Sequence, residues 1–132
     1  DHPLLEHRDA PLWIGGPVQT EALQVLHRLG RDIPGALHVT GDVFLGGDPD
    51  VVRTHLDAPD AGPDPIRFLL GYSGWGAKQL DQELDEGSWV VAEADPALIF
   101  DPEPRTLWRR TLRRMGGAFA QLANEPPDPS WN

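Results

Sequence analysis

One segment of the chain, residues 66–72, has the alternation of a β-strand more clearly than any other. Its sequence, IRFLLGY, places a large apolar or aromatic side chain at every second position, with Arg67 on the opposite face. A glycine-rich turn follows, and then a helix is predicted over about residues 76–86, with Gly87 ending it. Residues 88–93 (SWVVAE) are predicted to form a second strand, apolar on both faces and therefore central in a sheet. Together these elements have about the length of a crossover unit.

Before this segment, the chain alternates short apolar runs with turns. Strands are predicted at Pro11–Ile14, Val18–Leu29, Ala36–Val39 and Val43–Leu45. The second of these has an ambiguous pattern that only slightly favours a strand. Two Asp-Pro pairs, Asp48-Pro49 and Asp95-Pro96, each predict a helix that begins at an aspartate N-cap.

The C-terminal part of the chain contains the longest predicted helix, over Pro104–Met115. Its apolar stripe predicts that Leu107, Trp108 and Leu112 are buried. The tail from Ala118 is expected to be weakly structured. Short strands combined with separated helices indicate an α+β domain with a mixed sheet.

Composition excludes several classes of protein. The 132 residues suit one domain, and the absence of cysteine excludes disulfides and cysteine-ligated zinc or iron–sulfur sites. With 21 acidic and 11 basic residues, the formal net charge of -10 argues against a protein that coats DNA generally. No apolar stretch approaches the length of a membrane span, about 18 residues, and no signal peptide is present within the chain, so a cytoplasmic protein is expected.

Several separate motifs match one family pattern. They are Gly15-Gly16-Pro17-Val18, Leu26-His27, residues 67–76 (RFLLGYSGWG), Gln79-Leu80, Glu83, Ser88-Trp89, Ala94-Asp95-Pro96, Ile99-Phe100-Asp101, Leu107-Trp108 and Leu112-Arg113-Arg114. In this combination, from about Leu12 to Met115, the chain resembles the AlgH/YqgE family of small bacterial proteins.

The resemblance implies a fold and leaves the activity open. It implies an α+β fold in which a bifurcated, strongly bent sheet forms a pseudo-barrel with packed helices. It also implies that residues 1–132 are one domain lacking an N-terminal sheet-forming region of roughly 50 residues, a size that ordinary domain lengths accommodate. The family has no established reaction and is often labelled a transcriptional regulator because of an association with the control of alginate biosynthesis. Ser73 stands where the family usually has Ala, and Lys78 where it often has Gly.

The turn after the strand at residues 66–72 nearly matches the sequence pattern of a nucleophile elbow. Residues 71–75 (GYSGW) place Ser73 between a strand and a helix, as the pattern G-x-S-x-G requires, but the fifth residue is Trp75. All five histidines precede Ser73, so the hydrolase order of serine, acid and histidine is not met. We therefore predict no catalytic residue.

The same turn allows two other interpretations. Its glycines could let backbone N–H groups converge on a phosphate or carboxylate at a helix N-terminus, with Lys78 adding positive charge. Alternatively, they could permit close packing beside Tyr72 and Trp75. The candidate ligand-binding residues on the first interpretation, and for an aromatic-plus-polar groove, are Arg67, Tyr72, Ser73, Gly74, Trp75, Lys78 and Gln79.

The helix over Pro104–Met115 contains a cluster of basic side chains. The candidate partner surface consists of Arg105, Arg109, Arg110, Arg113 and Arg114. These residues could be a solvated or salt-bridged face, a protein-binding surface, or a contact to DNA. A further hypothesis is an ionic face shared with acidic residues of the helix predicted over residues 76–86, Glu83 among them, within one chain or between subunits.

The sequence therefore predicts an uncharacterised, non-enzymatic regulatory or interaction protein that binds a protein or a small anionic ligand. The alternatives are a transcriptional regulator that contacts DNA and an enzyme acting on a nucleotide or another anionic substrate at Arg67, Ser73, Lys78 and Gln79. A homodimer is one form the protein partnership could take, whereas no nucleic-acid partner, membrane partner or cofactor is expected. No metal site is predicted, because His2, His7, His27, His38 and His55 have no ligand spacing.

Overall fold

The computed structural model describes residues 3–5, 10–30, 32–58 and 66–125. The chain forms two compact units, the first ending at Val90 and the second beginning at Val91. Among the described residues, no helix has both the length and the apolar character that crossing a membrane requires.

The first unit is built on a five-stranded mixed sheet. Its strands are β1 (Leu12–Ile14), β2 (Val18–His27), β3 (Leu37–Thr40), β4 (Val43–Leu45) and β5 (Ile66–Tyr72). They are ordered β1-β5-β2-β4-β3, with β1 parallel to β5 and the other neighbours antiparallel. The predicted α+β class and mixed sheet are thus confirmed. The predicted pseudo-barrel is not confirmed. In the described part of the chain the sheet is open and not strongly curled, with β1 and β3 as its edges.

The core of the first unit lies against one face of the sheet. Val25 of β2 and Phe68 of β5 are opposite each other in register, and both are buried. Leu4, Ile33 and Val52 complete the buried cluster. Val52 belongs to helix α1 (Pro49–Asp57), whose first turn is capped by the Asp48 carboxylate accepting the Asp50 N–H at 2.9 Å. The alternation noted in residues 66–72 therefore predicts the core side correctly at Ile66 and Phe68, the two members of β5 in or against this cluster.

His27 is a fully buried polar residue at the end of β2. Its Nε2 is 2.8 Å from the Gly46 carbonyl oxygen, and its Nδ1 accepts the Leu29 N–H at 3.2 Å. Because Nδ1 is an acceptor here, the ring proton is assigned to Nε2, which donates to Gly46. The ring also stacks on Phe44, with centroids 6.2 Å apart. His27 is thus a satisfied structural histidine.

Helix α2 (Gln79–Asp85) follows the sheet and is shorter than predicted. Lys78 has a φ of +64°, a left-handed conformation that a right-handed helix cannot include, so the helix starts after it. At the other end Gly87 has a φ of +77°, and its N–H donates to the backbone carbonyl oxygen of Leu84. The Ser88 N–H donates to the backbone carbonyl oxygen of Glu83. These two bonds form a Schellman motif, so the predicted role of Gly87 is confirmed.

The predicted strand over residues 88–93 is wrong. These residues have no strand pairing, and Trp89, Val90 and Val91 are exposed. The crossover unit required this segment to join the sheet near β5. Both sides of β5 are already paired, one with β1 and the other with β2, so no position beside it remains.

The second unit contains three helices among its described residues. They are α3 (Pro96–Ile99), α4 (Pro104–Met115) and α5 (Gly117–Leu122). Asp95 caps α3 by accepting the Ala97 N–H, which confirms the second Asp-Pro prediction. Leu112 is buried as predicted, but Trp108 is 42% exposed. The prediction of a weakly structured tail from Ala118 is wrong for residues 118–122, which belong to α5; this helix begins after Gly116, whose φ is +73°. Residues 126–132 of the tail lie outside the described part of the chain.

Candidate functional site

Two exposed tryptophans meet in the first unit around one carboxylate. The rings of Trp75 and Trp89 have centroids 5.6 Å apart and planes inclined at 71°. Both indole N–H groups donate to the same oxygen, Glu83 Oε2, at 2.7 Å from Trp75 and 2.8 Å from Trp89. We call Trp75, Glu83 and Trp89 the tryptophan corner. Three consecutive parts of the chain form this corner. The loop before α2 contains Trp75, α2 contains Glu83, and the turn at Gly87 brings Trp89 back towards both.

Gln79 connects the tryptophan corner to the glycine-rich turn. Its Nε2 donates to Glu83 Oε1 at 3.3 Å, and its Oε1 accepts the Gly76 N–H at 2.9 Å. The Glu83 carboxylate therefore accepts three hydrogen bonds. The indole N–H groups of Trp89 and Trp75, with a smaller contribution from Gln79, hold the pKa of Glu83 below its usual range.

The structure brings together two of the seven predicted ligand-binding residues, Trp75 and Gln79. Ser73, Gly74 and Lys78 are exposed nearby along the chain, and Tyr72 is half-buried at the end of β5, opposite Val18. Arg67 is directed to a different place. Its guanidinium carbon lies 4.8 Å from the centroid of the Trp13 ring on the neighbouring strand β1.

One backbone N–H group of the predicted anion-binding turn already has a hydrogen-bond acceptor. The Gly76 N–H, one of the groups expected to point at an anion, is accepted by Gln79. Among the described residues, no hydrogen bond or ion pair joins Arg67, Ser73 and Lys78 to one another. The carboxylate of Glu83 next to this turn also disfavours a second negative charge.

Gly71 supports the packing interpretation of the glycines. A Cβ on Gly71 would overlap the carbonyl oxygen of Gly16, and a Cβ on Gly16 would overlap the backbone of Tyr72. The chain after β1 therefore crosses the end of β5 at a distance that only glycine allows. Gly74 and Gly76 differ, because a Cβ there would make only ordinary contacts, at 3.6 and 3.7 Å.

Arg110 is the most strongly bound member of the predicted basic surface. Its Nη1 and Nη2 donate to the two carboxylate oxygens of Asp101 at 2.8 and 2.7 Å. Its Nη2 also donates to the Glu103 carbonyl oxygen and its Nε to Thr106 Oγ1. The Asp101 carboxylate raises the pKa of Arg110 above its usual value. This side chain is an internal brace of the second unit.

The other four arginines are less constrained. Arg114 lies 3.6 Å from Asp95, and Arg109 donates to the Glu125 carbonyl oxygen at 3.4 Å. Within the described ranges, Arg105 and Arg113 have no hydrogen bond or ion pair. The basic surface therefore has two fully available guanidinium groups. Glu83 and Arg110 each have their hydrogen-bond partners inside their own unit, and the ionic face between the two helices stays a prediction.

The second unit contains an open groove of about 380 Å³. Its walls come from the segment before α3 and from α3, α4 and α5. The lining residues are Val91, Ala92, Glu93, Leu98, Thr111, Arg114, Met115 and Phe119. Of this set, only Arg114 is a functional residue predicted from the sequence. The groove could not be predicted, because residues 88–93 were assigned to a sheet and the region after Ala118 was expected to be weakly structured.

Metal ligands do not converge in the part of the chain that the structure describes. No group of three or more histidine, aspartate or glutamate residues there is arranged to hold an ion. His2 and His7 lie outside the described residues.

The sequence was also compared with known protein families. A family model described as AlgH-like (DUF179) matches residues 2–120. The chain belongs to the AlgH-like family. The resemblance drawn from the scattered motifs is thereby confirmed.

Individual relatives agree with this assignment. The "UPF0301 protein" of Chlorobium limicola is 42% identical over 127 residues, which are 96% of this chain and 68% of that protein. The "UPF0301 protein" of Chlorobium luteolum is 41% identical over 94% of this chain and 66% of its own length. The solution structure of the AlgH protein from Pseudomonas aeruginosa matches with a TM-score of 0.63 and 32% identity, covering 97% of this chain and 65% of that one.

This AlgH-like chain thus spans about two-thirds of the length of the relatives it matches. The names of these relatives state no reaction, ligand or partner. The family is therefore established, whereas these names leave the activity open.

Proposed function

We propose that this AlgH-like chain is a non-enzymatic regulatory or interaction protein, and that the groove of the second unit binds a short apolar segment of a partner protein. The observation that carries the proposal is the groove itself. Its volume of about 380 Å³ falls in the range of ligand sites, and its walls include the apolar side chains of Val91, Leu98, Met115 and Phe119.

The exposure of these walls supports a binding role. Val91 is 71% exposed and Phe119 is 42% exposed. A partner that covered these side chains would remove apolar surface from water, which favours binding. Glu93 and Arg114 place one carboxylate and one guanidinium in the same lining. A few polar groups in an apolar site are what orients a bound segment.

The polar groups of the groove favour binding over catalysis. The Thr111 hydroxyl, the one side-chain hydroxyl in the described lining, donates to the Leu107 carbonyl oxygen of its own helix at 2.8 Å. A nucleophile would instead need to donate to a general base. Arg114 is the group that would contact the acidic end of a small anionic ligand, which is the alternative occupant.

The proposal is tested by selecting peptides from a random displayed library against the chain and measuring their affinities. Phe119→Glu should weaken the selected peptides at least about tenfold, because it places a charge in an apolar wall. Trp108→Glu is the matched control, since Trp108 is equally exposed at 42% and does not line the groove. Equal binding to the wild-type and Phe119→Glu chains would overturn the proposal.

Two further measurements separate the alternatives. A phosphate or carboxylate that raises the melting temperature, and loses this effect in Arg114→Ala, would assign the groove to a small anionic ligand. Salt-dependent binding of duplex DNA that is lost in Arg105→Ala with Arg113→Ala would instead support DNA contact.

A further inference from the structure

We propose that the tryptophan corner is a binding site for a quaternary ammonium group. The site shares no residue with the groove of the second unit, and the inference does not depend on the proposed function. Such a group could belong to a small choline-like molecule or to a trimethylated lysine side chain. The two sources present the same chemistry, an alkylated cation without N–H donors.

The geometry of the two rings is the first reason. Cations are attracted to the face of an aromatic ring within about 6 Å of its centroid, and tryptophan is the most favourable ring. Trp75 and Trp89 pack edge to face with their planes inclined at 71°, so the uncovered part of one ring's face adjoins a face of the other ring nearly at a right angle. Trp75 and Trp89 are 39% and 49% exposed, so a substantial part of each residue is accessible to a ligand.

The second reason is that both rings are held in place before any ligand binds. Each indole N–H is engaged by Glu83 Oε2, at 2.7 and 2.8 Å, and Glu83 is in turn held by Gln79. A fixed pair of walls avoids the entropic cost of ordering two large side chains on binding. The hydrogen bonds are made by the edges of the rings and leave the π-systems available.

Charge is the third reason. Glu83 is a carboxylate in contact with both rings, and α2 with its C-cap adds Asp81, Asp85 and Glu86, all exposed. Lys78 is the one basic residue between Arg67 and Arg105 in the sequence. The local potential therefore favours a cation, in contrast to the anion expected from the glycines of the turn.

The hydrogen bonding of Glu83 selects among cations. An ammonium or guanidinium group brings several N–H donors that need acceptors, whereas Glu83 already accepts three hydrogen bonds out of about four that a carboxylate can take. A quaternary ammonium has no N–H to satisfy. It needs only the aromatic faces and a nearby negative charge, which are what the tryptophan corner offers.

The test is a choline titration of the wild-type chain, followed by NMR of the indole N–H resonances. The resonances of Trp75 and Trp89 should shift and saturate at millimolar choline, while that of Trp108 should stay fixed. The control ligand is 3,3-dimethyl-1-butanol, which has the same shape without the charge and should bind at least about fivefold more weakly. Equal binding of the neutral compound would overturn the proposal.

Variants make the assignment independent of the spectra. Trp75→Leu and Glu83→Gln should each weaken choline at least about fivefold, and Trp108→Leu should leave it unchanged. Circular dichroism checks that each variant is folded, and the comparison of the two ligands on the wild-type chain needs no variant at all. A similar loss in Trp108→Leu would contradict the proposal.

A peptide containing trimethyllysine separates the two sources of the ligand. Tighter binding of the peptide than of choline assigns the site to a modified protein, and the reverse order assigns it to a small molecule; either order supports the site. Failure of both ligands to bind would overturn it. Phe119→Glu should not change these titrations, so failure here and failure of the groove proposal are distinguishable.

Discussion

Arg110 binds the carboxylate of Asp101 through two hydrogen bonds, 2.8 Å from Nη1 to Oδ2 and 2.7 Å from Nη2 to Oδ1. Asp101 lies in the loop that precedes α4 and Arg110 lies in the middle of α4, so the pair holds this loop against the helix. A cluster of five arginines in sequence is thus not a uniform basic surface in the folded chain. At least one member, Arg110, is hydrogen-bonded within its own unit, although its side chain is 42% exposed.

The first prediction separates this brace from the exposed arginines. Arg110→Ala should lower the melting temperature, and Arg110→Lys should not restore it, because lysine cannot donate to both carboxylate oxygens in a fork. Arg113→Ala should change the free energy of unfolding by no more than about 0.5 kcal/mol. Thermal unfolding of the three variants measures this. Wild-type stability of Arg110→Lys would contradict the bidentate brace.

The second prediction concerns the crossing of the backbone at Gly71. Gly71 and Gly87 have the same φ of +77°, but only at Gly71 would a Cβ overlap another backbone. Gly87→Ala should therefore cost only the conformational strain, about 1–2 kcal/mol. Gly71→Ala should cost a further 1–3 kcal/mol, roughly, because the Gly16 backbone cannot move freely. Urea unfolding compares the two, and equal costs would argue against the close crossing.

The third prediction compares His27 and His38, two of the histidines that are hydrogen-bonded to backbone carbonyl groups. His27→Leu should destabilise the chain by about 2–5 kcal/mol, because it leaves the half-buried Gly46 oxygen and Leu29 N–H without their partners. His38 makes a bond of the same length, 2.8 Å, to the Gly41 oxygen, but in an exposed position where water can replace it. His38→Leu should cost no more than about 1 kcal/mol. Similar losses in both variants, measured by urea unfolding, would show that burial is not the deciding factor.

The fourth prediction is a pH dependence of the tryptophan corner. The pKa of Glu83 in the folded chain lies below its unfolded value, because the indoles stabilise the charged form. The stabilisation is therefore fully present above the ordinary glutamate pKa of about 4.3 and is lost as the pH falls through the folded pKa. The indole N–H resonances of Trp75 and Trp89 should change together in that acidic range. In Glu83→Gln this titration should be absent, and a midpoint at or above the ordinary glutamate pKa would contradict the assignment.

Much of this fold follows from local rules that a sequence carries. Alternation predicts β5 and favours β2, and aspartate followed by proline predicts the starts of α1 and α3, because these signals act within a few residues. The error at residues 88–93 has a different origin. A short apolar run has the same appearance in a buried strand and in an exposed segment, and only the pairing of β5 with β1 and β2 decides between them.

The candidate sites were predicted less completely for a related reason. Trp75, Glu83 and Trp89 all occur in the family motifs, yet their spacing alone does not bring them together. The left-handed conformation of Lys78 and the turn at Gly87 do so, and only the second was anticipated. The groove depends on α5 and on the extended segment before α3, neither of which the sequence analysis predicted.

The central claim, that the groove binds a partner protein, is tested most directly by photo-crosslinking in the cells that produce the protein. A benzoylphenylalanine residue placed at Phe119 should form an adduct with one discrete protein, and Val91→Glu in the same chain should abolish that adduct, because Val91 lines the same groove. The same photoreactive residue at the equally exposed Trp108 should not form it. Identical adducts from both positions, or an adduct at Phe119 that survives Val91→Glu, would contradict the account.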